Sequence, residues 1–375
     1  MPTRPGSLLL PDPLVGPAFG SYAASDVRWL LTDLSAVALE APQRDRERAI
    51  QSGRAHYSES LPVEFRPDQD YVVLFRELTT AWAPGVAEAV GILGDRILAH
   101  RTSQPVLVSL ARAGTPLGIL ARRWFRIRHG LDVPHLTMSI IRDKGLDPVA
   151  LRWLAANHRL DDIVFVDGWT GKGAITRQLA TSVREANARP GATGSLDPQL
   201  AVVADPGRCT ALHGTTDDIL IPSACLNATV SGLVSRTVHN ASLGPGQFHG
   251  AKFYRELTHH DQSTFFLDAV TTQLAHVVVG RRAEQLGPAP DWRGWEAVTR
   301  IAERRGMTDL NLIKPGIGET TRVLLRRSPH EVLLRSIDDP RVRHLRRLAD
   351  TLGVHVTVDE HLPYAAVGLI AQVRG

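Results

Sequence analysis

Cysteine and lysine are the scarcities of this 375-residue sequence, with two of the first and four of the second. Two cysteines cannot build a disulfide framework or a four-thiolate zinc site, so a reducing, cytoplasmic compartment is expected. No segment offers the ~18 uninterrupted apolar residues of a membrane span. The N-terminal MPTRPGSLLLPDPLVG is proline-broken and too short for a secretory signal. A soluble protein with no membrane partner is therefore expected. Large charge excess is missing too: 43 Lys+Arg stand against 39 Asp+Glu, a formal net charge of +4. A hydrophobic share of 43% with 22% charged residues excludes general disorder. No internal repeat or low-complexity tract is visible.

The small excess is unevenly placed. Residues 291–375 hold 14 Arg+Lys and 11 Asp+Glu, a net of +3, and the rest of the chain nets +1. A basic module in the last quarter is the natural reading. The four lysines, Lys144, Lys172, Lys252 and Lys314, each sit beside a glycine, proline or aromatic residue. In a chain that otherwise uses arginine, a loop ammonium is a compact charge suited to phosphate.

Length predicts two or three domains. The most linker-like stretch is GPAPD (287–291), where proline forces extended neighbours. A softer break falls at 101–105. Residues 20–100 read as mainly helical, making 1–100 a helical N-terminal region of the first domain. A polar loop at 51–62 carries Arg54, His56, Tyr57 and Glu59 as weak candidates for ligand contact. From residue 105 short β-branched runs alternate with helical stretches: VLVSL (106–110), HLTMSII (135–141), DIVFV (162–166), AVVA (201–204) and ILIP (219–222). This alternation over 101–286 predicts an α/β domain with a parallel sheet covered on both faces. Ligands on such sheets bind beyond the carboxyl ends of the strands.

Two glycine-containing loops fall at those ends. In SLARAGTPLG (109–118), Gly114 permits a tight turn and Pro116 suits the first turn of a helix, while Arg112 and Ala113 precede it. The amides at that helix start, joined by the Arg112 guanidinium, would bind an anion. In VDGWTGKGAIT (166–176), Thr170, Gly171, Lys172, Gly173 and Ala174 can wrap a phosphate, and Asp167 can accept hydrogen bonds from sugar hydroxyls. The second loop is no Walker A loop, because Gly173 stands where a metal-binding Ser or Thr is needed.

The pair resembles the loops of the type I phosphoribosyltransferases. There the first loop holds pyrophosphate, and a loop reading roughly hydrophobic-Asp-Asp-x-x-x-x-Gly binds the ribose 5-phosphate. Asp167 matches the first acidic position and 170–174 the phosphate cradle, whereas Gly168 replaces the second acid. The wider set SLARAGTPLG, FVDGWTGKGAI, ADPG, IPSACLNATVSGLVSRT and FHGAKFY is similar to a bacterial family of tellurite-resistance and stress operons. Members are described as phosphoribosyltransferase-like and also carry the label cysteine protease StiP. The resemblance implies a type I phosphoribosyltransferase-like fold and binding of phosphoribosyl pyrophosphate. It further implies ribosylation of a base-like acceptor in a nucleoside-type pathway, with Mg²⁺ bridging substrate oxygens. Arg142 and Lys144, in IIRDKGLD, occupy the place of that superfamily's mobile loop.

Two other functions stay open. A cysteine hydrolase would use Cys225 in IPSACLN with an imidazole such as His239 or His249 and a polar orienter such as Asn227 or Asn240. Alternatively, IPSACLNATVSG with His249 and Lys252 forms the acceptor site. An RNA-binding regulator would use the phosphoribosyl fold as a sensor, which Gly168 favours.

Residues 291–375 read as a small α/β sandwich. PGIGETTRVLLRR (315–327) resembles the Gly-x-Asn-Glu-x-x-Lys helix start of L7Ae and Pelota-like RNA-binding domains. Gly316, Glu319 and Arg322 match that pattern, and Gly318 replaces the Asn. The resemblance implies an RNA partner. Protein-held metal is not expected anywhere.

Overall fold

The computed structural model describes residues 10–42, 46, 54–189, 194–280 and 285–371. Its centre is a seven-stranded sheet: β1 (Leu14–Val15), β2 (Arg28–Leu30), β3 (Val106–Leu110), β4 (His135–Met138), β5 (Ile163–Trp169), β6 (Leu200–Ala204) and β7 (His213–Thr215). The spatial order is β1-β2-β4-β3-β5-β6-β7. Every neighbouring pair from β2 to β7 is parallel, and only β1 runs against β2. Every residue of β3 and β6 is buried, as their near-continuous apolar runs require of strands covered on both faces. The chain goes from β3 outward to β4, then returns across β3 to β5. Strand order thus reverses between β3 and β5, a crevice where open α/β sheets bind ligands.

Four helices flank the sheet and follow from plain signals. The 31-residue α1 (Gln69–Ala99) starts on Asp68, whose carboxylate accepts from Tyr71 N at 2.9 Å. Helix α2 (Gly114–His129) ends at left-handed Gly130, a common helix stop. Helix α3 (Pro148–Asn157) has Asp147 as cap and proline in its first turn. Helix α4 (Ala174–Asn187) follows Gly173, whose φ is 74° and which offers no side-chain cap. A fifth, α5 (Ser263–Leu274), packs along α1 and α2.

Of the helical region expected at 1–100, the described residues hold one long helix, which starts at Gln69. Residues 10–42 form short strands and turns, because Trp29 and Leu30 in β2 are wholly buried beside β4. The run 219–222 is no strand; Pro222 opens a one-turn helix (Pro222–Cys225), and His213–Thr215 supplies the sheet edge instead.

The C-terminal part has a four-stranded sheet of β8 (Ile313–Pro315), β9 (Pro329–Leu334), β10 (His355–Val358) and β11 (Ala366–Ile370), ordered β8-β11-β9-β10. Helices α6 (Arg293–Arg305), α7 (Ile317–Arg326) and α8 (Arg343–Leu352) accompany it. Helix α6 was not anticipated from the sequence. This part is docked on the first. Ile317, Leu324, Val332, Leu334 and Leu345 belong to the same apolar cluster as Leu107, Val166, Leu220 and Cys225. The stretch expected as a linker is tied down at its start, where Gly287 N donates to Ala211 O at 2.9 Å. Among the described residues no helix is long and apolar enough to cross a membrane.

Candidate functional site

The two loops singled out in the sequence meet at the strand-order reversal. Gly114 is pressed so closely to β5 that a Cβ there would lie 2.5 Å from Val166 O and 3.1 Å from Asp167 Cα. Only glycine allows that approach. The Ala111–Arg112 peptide bond is cis, and Ala113 is exposed. The Arg112 guanidinium is shared between Glu64 Oε2 at 3.4 Å and Val234 O at 3.2 Å.

Asp167 projects at the end of β5, where its Oδ1 accepts from Gly168 N at 2.8 Å. Burial pushes its carboxyl up to about 7, a shift the Gly168 amide partly opposes. A Cβ on Gly168 would meet only Leu117 and Ala113, at 3.7 and 3.9 Å, so sterics do not forbid a second carboxylate there. With Asp167 alone at the strand end, the donors are too few for a protein-held Mg²⁺. Among the described residues no group of three His, Cys, Asp or Glu side chains is placed to hold a metal.

Beyond Asp167 the chain forms a cradle around the N-terminus of α4. Thr170, Gly171, Lys172, Gly173, Ala174 and Thr176 line a cavity of about 160 Å³. Its opposite wall comes from the C-terminal part: Ile313, Lys314, Pro315 and Glu319. Gly171 has Pro315 against it, with Cγ 3.0 Å from where a Cβ would stand, and its carbonyl accepts from the Tyr364 hydroxyl at 2.9 Å. Two side chains of this cradle are engaged elsewhere. The Thr170 hydroxyl donates to Asp205, which also accepts from Cys209 N and Thr210 N at 2.9 Å. Lys172 Nζ donates to Leu310 O at 2.5 Å and Ile313 O at 3.4 Å. Burial, assisted by Lys314 and Arg142, lowers its ammonium to about 8.

The hairpin carrying Arg142 and Lys144 is exposed and stands outside this cavity. Arg142 N donates to the Tyr57 hydroxyl at 2.7 Å and its guanidinium to Asn311 at 3.2 Å. Lys144 Nζ lies 3.5 Å from His239 Nδ1.

Cys225 is fully buried, and burial pushes its thiol up to about 12 although Arg326 and Arg322 oppose the shift. Its carbonyl accepts from Tyr71, whose hydroxyl also receives Arg326 Nε at 3.3 Å. Among the described residues no imidazole bonds to Cys225 or to the second thiol, Cys209, which is also buried and pushed to about 12. His249 is fixed elsewhere: Nδ1 is 2.9 Å from Ser139 Oγ, its backbone N donates to Asp147 Oδ2 at 2.5 Å, and the ring lies 4.7 Å from that of His239, tilted by 45°. Burial first, then His239 and Lys144, hold its imidazole down at about 4 despite Asp147. Asn227 precedes a one-turn helix, and among the described residues its side chain makes no hydrogen bond.

The residues matched to RNA recognition lie at the junction. Gly316 has a φ of 98° and precedes α7. Gly318 faces Ala224, and Glu319 pairs with Arg322 at 2.7 Å. Burial alone would raise the Glu319 carboxyl, but Arg322 and Lys314 outweigh it and hold it low. Asp218, 5% exposed, joins the two parts by accepting from Ile317 N at 2.9 Å and Ala365 N at 2.8 Å. Burial lifts its carboxyl to about 6 against those hydrogen bonds. Asp218 was not singled out in the sequence, Thr176 figured there only as the last residue of the second loop, and Lys314 only as one of four loop lysines. Asp218 and Lys314 become meaningful only through contacts made about a hundred residues or more away in sequence.

Residues 20–271 match the family described as "Tellurite-like stress resistance cysteine protease StiP", and residues 292–372 match the "PELOTA RNA binding domain". "Cysteine protease StiP" from Acinetobacter baylyi is 34% identical over 368 residues, spanning 94% of this chain and 94% of that protein. No solved structure matches the chain. These descriptions name a protease and not a transferase, so the expected phosphoribosyl transfer draws no support from them.

Proposed function

The chain belongs to the StiP family of tellurite-like stress resistance proteins and carries a Pelota RNA-binding domain, and from that premise we propose that its sheet crevice binds a phosphorylated ribose. The reading is of a type I phosphoribosyltransferase-like enzyme with an RNA-binding unit attached. One observation carries it: two anion-type loops abut at the reversal between β3 and β5, with Gly114 against Val166 and Asp167. In this reading the amides around Gly173 and the N-terminus of α4 hold the 5-phosphate. The loop at 111–114 receives pyrophosphate, and ionised Asp167 accepts from ribose hydroxyls. Catalysis would rest on positioning and charge stabilisation around the departing pyrophosphate. Mg²⁺, when bound with the substrate, would neutralise phosphate oxygens. The test is calorimetric titration with phosphoribosyl pyrophosphate and Mg²⁺, on wild type and on Asp167→Asn. Binding with pyrophosphate release in the presence of an acceptor base supports transfer. Binding without release across a panel of bases supports a sensor, and absence of binding removes both.

A second reading, a cysteine peptidase, is favoured by the names of the family and of the relative. Cys225 is its nucleophile in that case, and the thiol must then be uncovered and paired with an imidazole, since neither condition holds in this arrangement. Peptidase activity that survives in Cys209→Ala and vanishes in Cys225→Ala would establish it.

A further inference from the structure

The cavity at the start of α4 has walls from both parts of the chain, and its chemistry is unbalanced. On one side are the uncapped N-terminus of a 14-residue helix and Thr176, which is 8% exposed and whose hydroxyl has no hydrogen-bond partner. On the other side is Lys314 in β8. Among the described residues its Nζ makes no hydrogen bond and no ion pair. Glu319, the acid lining the same cavity, is already taken by Arg322 at 2.7 Å. Lys172, the cation anticipated here, is spent on the carbonyls of Leu310 and Ile313. Helix amides, an unpartnered hydroxyl and an ammonium with no hydrogen bond therefore face one small space, whose carboxylate, Glu319, is offset by Arg322 as well as by Lys314. At about 160 Å³ the space is below the ~300–1,000 Å³ of drug-sized sites and suits a phosphate group.

We propose that Lys314, contributed by the RNA-binding unit, is the cation of the phosphate site, so that the site is complete only when that unit is docked on the sheet. The ligand is a phosphomonoester, either on a free sugar or at the 5′ end of an RNA. This deepens the ribosyl-phosphate reading and rests on it for the sugar, but the anion site stands on its own chemistry. The Lys314 backbone is held in β8 against Gly368, but its ammonium, unlike that of Lys172, is tied to no backbone carbonyl. Removing it costs the fold nothing that the hydrogen bonds record.

The experiment uses the full chain and inorganic phosphate as the first probe, followed by calorimetry near pH 7. Lys314→Gln should weaken phosphate binding about tenfold or more, the usual effect of losing a charged hydrogen-bond partner, and Lys314→Arg should retain most of it. Thr176→Val, nearly isosteric, should weaken it by a smaller factor while leaving the thermal unfolding midpoint in place. Equal binding by wild type and Lys314→Gln, or no binding by either, overturns the proposal. Ribose 5-phosphate and paired 5′-phosphorylated and 5′-hydroxyl oligoribonucleotides form the second arm. Preference for the phosphorylated oligonucleotide over ribose 5-phosphate assigns the ligand to RNA ends, and the reverse assigns it to a free sugar phosphate. If inorganic phosphate binds through Lys314 but no ribosyl phosphate does, the ribosyl reading fails and the anion site remains.

Discussion

Replacing Asp218 with Asn tests how the two parts are held together. The carboxylate is 5% exposed and receives two backbone N–H groups from the C-terminal part. Burial lifts it from the ordinary 3.8 to about 6. Because the folded value is the higher one, the folded state binds a proton more readily than the unfolded chain. Ionisation therefore opposes folding, with no effect below pH 3.8 and its full effect above pH 6. A rise of this size corresponds to about 3 kcal/mol, at 1.36 kcal/mol per unit. Asn has the shape of the acid and does not titrate, so the ionisation-dependent contribution disappears, but its Nδ2 cannot accept the backbone N–H that one carboxylate oxygen now accepts. Relative to wild type, Asp218→Asn should therefore gain about 2 kcal/mol of stability between pH 4.5 and pH 8, on top of a pH-independent loss from the N–H left without an acceptor. Urea unfolding at both pH values, followed by tryptophan emission, reads the difference directly. Parallel stability profiles for the two proteins would refute the reasoning.

Gly114→Ala should cost about 1–3 kcal/mol through overpacking, since its Cβ would meet the Val166 carbonyl at 2.5 Å, and it should part the two loops. The urea midpoint and phosphoribosyl pyrophosphate affinity check both effects. With Asp167 near 7 and active when ionised, affinity for a ribosyl phosphate should rise about tenfold between pH 6 and pH 8, and the rise should be absent in Asp167→Asn. Both thiols, buried and pushed to about 12, should resist iodoacetamide at pH 7.5 until the chain is unfolded. Rapid labelling of Cys225 in the folded protein would contradict this arrangement and favour the peptidase.

Much of the sheet was legible because its strands are short apolar runs stopped by glycine. Val106–Leu110 begins and ends where expected, and α4 starts at Ala174. The N-terminal strands were not legible. Leu14–Val15 and Arg28–Leu30 are too short to show a period, and they become strands by pairing with each other and β4. Helix α6 has its helical spacing, with Ala297, Val298, Ile301 and Ala302 buried, but it follows a proline-rich stretch that drew attention to a linker. At the site, glycines and Asp167 announced themselves by local pattern. The partners of Thr170 and Lys172 did not, because Asp205, Leu310 and Ile313 reach them only through tertiary contact. Lys314 carries no motif at all.

The apolar cluster that runs from Leu107 and Val166 through Cys225 to Leu324 and Val332 constrains the history of the gene as well as the fold. A recombination that exchanged the RNA-binding segment for a foreign one would strip the covering from Leu220 and Cys225 and leave the Asp218 carboxylate buried without donors. The two segments can therefore diverge only in step, each accepting substitutions that its neighbour can match. A relative aligned along 94% of both chains is what such joint inheritance leaves behind.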